Sequence, residues 1–202
     1  MPSYRLTAEH GVYRLTGFDA DLAVHTDIEP GSRFYTYVSA FLAATAGLTP
    51  VFDTKYSGFL DGIDGVYPGF LVGDVHVDLG ARVKAIRAGE ISQSLTDETL
   101  CCMLANSAFE SLDDDEVASI RDEPVAEVLR HVRNAASHRN EWYFKDWEPR
   151  RSASWSRFSF TIDDQMKGSH NPLHGRKCFG GSLHAGDLLF LLSDVAKLAQ
   201  LN

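Results

Sequence analysis

Apolar residues recur at helical spacing along most of this chain and alternate with polar ones only in short runs. At the start, Tyr4-Arg5-Leu6-Thr7 and Tyr13-Arg14-Leu15-Thr16 alternate, which predicts a hairpin joined through Glu9-His10-Gly11. That hairpin belongs to an extension over residues 1–30. Phe34, Val38, Phe41, Leu42 and Thr45 then share one helical face behind a Ser32 cap, and Gly47 and Pro50 predict its end. Over residues 51–75 the period vanishes and glycines punctuate aromatics, so a long loop held down by buried rings is expected. Within it, Asp61-Gly62-Ile63-Asp64-Gly65 lacks the further ligands and closing glutamate of a calcium loop.

The spacing predicts further helices over residues 77–90, 96–112 and 185–201. Thr96 is the expected N-cap of the second, with Leu95 and Leu100 as its hydrophobic staple. The acidic run from Asp113 to Glu116 reads as a solvated turn or helix start. Phe158, Phe160 and Ile162 alternate with polar residues as a short strand, and residues 168–181 read as loop.

The most regular pattern lies between these. Glu123-Pro124 stands where a helix begins, because proline is tolerated in the first turn. Val125, Val128, Leu129, Val132 and Ala136 follow within a wedge of about 100°. Measured from that stripe, Arg133 falls at about 80°, Asn134 at about 180° and His138 at about 220°. Arg139, at about 320°, would re-enter the apolar stripe, so the helix is expected to end near His138. Its last turn would then display Asn134 and His138 away from the core, with Arg133 on the border.

Charge singles out the same region. The chain of 202 residues carries a net −9, which argues against a general nucleic-acid coat. Residues 1–120 hold 7 Lys+Arg against 18 Asp+Glu, whereas residues 121–180 hold 11 against 8. A local basic segment on an acidic body suits a focused contact with a phosphate. Three cysteines, two of them adjacent, give no disulfide framework. No apolar run approaches the roughly 20 residues of a membrane span, and the N-terminus lacks a signal-peptide pattern, so a cytoplasmic protein with no membrane contact is expected. No domain boundary is visible, and residues 1–202 read as one mainly α domain.

The candidate chemistry sits in Arg133-Asn134-Ala135-Ala136-Ser137-His138. Arginine offers a permanent charge on a planar fork that fits phosphate oxygens. Imidazole is the side chain suited to proton transfer near neutral pH. Asparagine can hold either in place. An arginine and a histidine beside a phosphodiester suffice for metal-independent RNA cleavage, with the arginine stabilising the charged phosphorane.

Those six residues, with Leu129, Val132 and Ala136 and the following Trp142-Tyr143-Phe144, resemble the RNxxxH segment of the HEPN (higher eukaryotes and prokaryotes nucleotide-binding) family. The specific match covers about twenty residues. The resemblance implies a helical bundle of four to six helices with minor β elements, commonly a homodimer that brings two motifs into one cleft. It implies a metal-independent endoribonuclease of toxin–antitoxin or antiphage defence systems, with an antitoxin or defence partner. The alternative it carries is a non-catalytic module that binds nucleotide, RNA or a partner protein. By motif position Arg133 and His138 would be catalytic and Asn134 supportive. Arg130, Arg139, Lys145, Arg150 and Arg151 are the candidate RNA contacts, the last two among Trp147, Trp155 and Phe158 as stacking partners.

No cofactor is implied. His170, His174, Cys178 and His184 offer zinc-type donors, but Gly168, Pro172 and Gly175 argue against the helix that would align them, so they read as loop residues.

Overall fold

His10 and Gly11 set the first element. Both adopt left-handed backbone (φ 51° and 82°), the conformation of a two-residue primed turn, which matches the twist of the strands it joins. In the computed structural model, which describes residues 3–19, 22–53, 55, 69–72, 74–145, 151–156, 160–162 and 168–200, strand β1 (Ser3–Glu9) therefore pairs antiparallel with β2 (Val12–Asp19), closing at Glu9 opposite Val12. The predicted hairpin is present and longer than its alternating core. A third strand, β3 (Leu22–Ile28), extends the sheet in the order β1-β2-β3, which the reading of residues 1–30 did not foresee. Along β3, Thr26 and Ile28 are buried while His25 and Asp27 face out.

Six α-helices follow among the described residues: α1 (Tyr35–Phe52), α2 (Leu79–Arg87), α3 (Gln93–Glu110), α4 (Asp114–Ile120), α5 (Pro124–Ser137) and α6 (Ala185–Gln200). Two antiparallel pairs, β4 (Gly69–Val72) with β5 (Val75–Asp78) and β6 (Ala153–Trp155) with β7 (Phe160–Ile162), accompany them. The expected mainly α HEPN-like bundle is thus overturned: three antiparallel sheets make the architecture mixed α/β. The physical reason is that strands of three to eight residues, each paired with the strand next to it in sequence, are too short for a helical period to register and are held by ladder bonds instead.

Several boundaries move for local reasons. Helix α1 continues through Gly47 and Pro50 to Phe52, and β4 lies inside the stretch expected to be loop. Asp78 caps α2 by accepting from Ala81 N–H, so Val77 belongs to a strand instead. Ser92, not Thr96, caps α3: its Oγ accepts from Leu95 N–H at 3.1 Å, and the Thr96 hydroxyl donates back to the Ser92 carbonyl. Leu95 is exposed, so the expected staple does not form. The acidic run resolves as a helix start, with Asp113 and Glu116 forming a reciprocal capping box on α4. The Asp61–Gly65 segment lies outside the described residues.

The chain divides into two units, residues 40–97 and residues 1–39 with 98–202. The larger unit holds the candidate residues. Its core is built on α5 and α6, whose Val128, Leu129, Val132, Leu188, Phe190, Leu191 and Val195 are fully or almost fully buried. Helix α6 also packs on β2 and β3, with the Thr26 and Ser193 hydroxyls bonded at 2.5 Å. Gly186 lets the Tyr4 ring lie against the helix where any Cβ would meet it at 2.3 Å, and the Tyr4 hydroxyl donates to buried Asp187. No described helix is long and apolar enough to cross a membrane.

Candidate active site at the end of helix α5

Helix α5 starts at Pro124 and ends at Ser137, where the apolar stripe required it to stop. His138 is the C-cap (φ −111°, ψ 53°), and its N–H donates to the Asn134 and Ala135 carbonyls. Arg139 and Asn140 both take left-handed backbone (φ 60° and 65°), so the chain turns sharply away. Asparagine tolerates that region well. Here it also locks the turn. The Asn140 side chain accepts from Phe179 N–H at 2.8 Å and donates to the Phe179 carbonyl at 2.9 Å, while the Asn140 carbonyl accepts from Cys178 N–H at 2.8 Å. Glu98, buried behind it, accepts from Asn140 and is paired with Lys177 at 2.7 Å.

The next residues continue that pairing. Glu141 bridges Lys177 antiparallel, Trp142 N–H donates to the Arg176 carbonyl, and Gly175 N–H donates to the Trp142 carbonyl, each of these two at 2.9 Å. Residues 140–144 therefore alternate, with Trp142 and Phe144 buried and Tyr143 turned outward between them. The pairing delivers His174 to Tyr143, with ring centroids 5.6 Å apart. On its other side Tyr143 stacks on His138, centroids 3.9 Å apart at 18°. An open recess of about 250 Å³ results, lined by His138, Arg139, Glu141, Tyr143 and His174 with Ser137, Trp142 and Gly175.

Arg133 and Asn134 lie one turn back and half-buried. Arg133 Nη1 donates to Asn134 Oδ1 at 3.4 Å, and its Cζ sits 5.5 Å above the Phe109 ring. The rest of the fork is occupied by Glu110 of α3: Nε donates to Oε1 at 3.0 Å, and Nη2 donates to the same oxygen. The candidate arginine is thus held by a carboxylate of another helix, a partner that no local spacing assigns.

The helix face itself is wider than the stripe indicates. Ala135 rather than Ala136 is fully buried, and Glu127 and His131 are buried among the apolar residues. Glu127 accepts from Arg130 through both oxygens, at 2.7 and 2.8 Å, and its Oε1 is 3.4 Å from His131 Nε2. Burial pushes the Glu127 carboxyl up, but the hydrogen bonds from His131 and Arg130 and their charges outweigh it and hold the group below its ordinary value.

Of the basic candidates, Arg139 reaches the recess and Arg130 is committed to Glu127. Arg151 approaches the same carboxylate at 4.0 Å, and Lys145 is half-buried. Arg150, Trp147 and Phe158 lie outside the described residues, and the Trp155 ring is buried, with its N–H donating to Asp194 at 2.9 Å. His170 is exposed and Cys178 buried. Among the described residues no three metal-binding side chains converge.

Tyr143, His174 and Glu110 are the site residues that sequence reasoning missed. Tyr143 had a signal in the alternation of Trp142-Tyr143-Phe144. His174 stood out only as a zinc-type donor read as a loop residue, and it is backbone pairing that brings it near. No protein-family model, curated protein or solved structure matches the chain.

Proposed function

We propose that the end of α5 is the catalytic turn of a metal-independent endoribonuclease of HEPN type. The reading rests on the Arg133-Asn134…His138 segment and not on a helical bundle. The observation that carries it is the placement of His138: exposed, one residue past the helix end, on an open recess, with Arg133 and Asn134 bonded to each other one turn behind. In this reading the 2′-hydroxyl attacks the neighbouring phosphorus, the bond to the 5′-oxygen breaks, and a 2′,3′-cyclic phosphate remains. His138 moves the proton, and Arg133 balances the added charge on the phosphorane oxygens. A second copy of the chain would complete the proton inventory from a symmetry-related turn.

Purified protein is incubated with labelled RNA in EDTA. Wild type is expected to cleave and leave 2′,3′-cyclic ends, and Arg133→Ala and His138→Ala to lose at least about 100-fold in rate. Equal rates in either variant reject the assignment.

One observation favours a non-catalytic module that binds nucleotide or RNA: the Arg133 fork is already engaged by Glu110. That reading predicts no turnover by any variant and weaker RNA binding in Arg133→Ala.

A further inference from the structure

The recess holds a second imidazole whose tautomer the backbone decides. Phe144 N–H donates to His174 Nδ1 at 3.2 Å. A backbone amide can only donate, so Nδ1 presents its lone pair and the ring proton resides on Nε2. In that tautomer the ring has no free lone pair with which to accept a proton. What it offers a ligand is one directed N–H.

The ring is also held in place. The backbone N–H of His174 donates to the Asn171 carbonyl at 3.0 Å, and Asn171 is itself buried with its side chain accepting from Leu173 N–H. The imidazole contacts Tyr143 on the recess side and the Phe144 ring, 6.4 Å between centroids. A donor fixed before the ligand arrives needs no reorganisation to meet it, which is what makes such groups effective against developing negative charge. Charge alone does not specify an anion here, because Arg139 and Glu141 line the same recess. Directed donors must supply that preference.

We infer that His174 is an anion-binding residue of this site: its Nε2–H donates to a non-bridging phosphate oxygen of the group seated beside His138 and Tyr143. The inference rests on the ribonuclease or RNA-binding reading of the same turn. It adds a donor that lies 36 positions beyond His138, outside the motif, and that the same chain supplies.

The test uses a 2′-O-methyl RNA oligonucleotide, which binds but cannot be cleaved through its 2′-oxygen. It is titrated by fluorescence anisotropy into full-length wild type, His174→Phe and His174→Gln. Phenylalanine keeps a ring without a donor, whereas the glutamine amide nitrogen takes the place of Nε2. Loss of a hydrogen bond to a charged group is expected to weaken binding about tenfold in His174→Phe, and glutamine to restore it to within about threefold of wild type. Wild-type affinity in His174→Phe overturns the inference, as does glutamine binding no better than phenylalanine at equal Tm.

Should phenylalanine disturb folding, 15N spectra of wild-type histidines decide at neutral pH. His174 is expected to carry its proton on Nε2, and that resonance is expected to shift on adding inorganic phosphate. A proton on Nδ1, or no shift at saturating phosphate, rejects the role. A wild type that binds the uncleavable oligonucleotide through His174 yet leaves ordinary RNA intact removes the nuclease reading and keeps this inference. A wild type that binds no oligonucleotide overturns both.

Discussion

Helix α5 carries two arginine–glutamate pairs less than a turn apart, and they are built as opposites. Arg130 meets Glu127 on the same helix, where the Glu127 side chain is 3% exposed. Arg133 meets Glu110 from α3, with the two side chains 34% and 60% exposed. Attraction inside the first pair is poorly screened, and Glu127 depends on Arg130, itself 24% exposed, because the carboxylate does not reach enough water to be solvated alone. The second pair sits where water and salt compete, and such contacts contribute about 0–1 kcal/mol. Burial thus divides one helix into a braced segment and a displaceable one. A phosphate can replace a carboxylate only in the second.

The largest expected effect tests the braced segment. Glu127→Ala leaves Arg130 and His131 facing a buried hole, and His131 already has an unpaired Nδ1. A loss of about 3–5 kcal/mol in urea denaturation at pH 7 is expected. A loss below about 1 kcal/mol would place Glu127 among the exposed pairs and dissolve the contrast.

The pH dependence sharpens the same point. Because the folded-state Glu127 carboxyl is held below its ordinary value, the unfolded chain binds its proton first as pH falls. The stabilisation is therefore complete above the ordinary glutamate range and is lost as pH drops through the folded value. The stability gap between wild type and Glu127→Gln is expected to be widest at neutral pH and to narrow on acidification below about pH 4.3. A gap that widens towards acid would reverse the sign and reject the ion-pair account.

That pair also marks where reading the chain alone fell short. Val128, Leu129 and Val132 announced the core face, and the clash of Arg139 with that face placed the helix end correctly. Glu127 and His131 escape the apolar stripe because polar residues read as solvent-facing unless a partner three or four residues away neutralises them in place. Backbone pairing hid the rest. β3 runs three apolar residues, Leu22 to Val24, into three polar ones, His25 to Asp27, so only its pairing with β2 marks it as a strand. His174 reaches Tyr143 only through the ladder from Asn140 to Gly175, to which no local period corresponds. The Asp113–Glu116 capping box shows the reverse case, since both partners lie within one turn and the pattern was open to view.

The smallest expected effect lies at Glu110. Replacing it with alanine frees the Arg133 fork, apart from the long contact to Asn134. Stability is expected to change by less than about 1 kcal/mol, because the pair is exposed. Binding of the uncleavable oligonucleotide is expected to tighten severalfold, since the ligand phosphate no longer has to displace a carboxylate. That gain should shrink between low and physiological salt, as screening already weakens the competing pair. Titrations at two ionic strengths with a parallel melt separate the possibilities. If Glu110→Ala binds more weakly, the carboxylate orients Arg133 for the ligand instead of competing with it. If the variant melts far below wild type, the contact braces α3 against α5, and the division of α5 into rigid and displaceable halves fails.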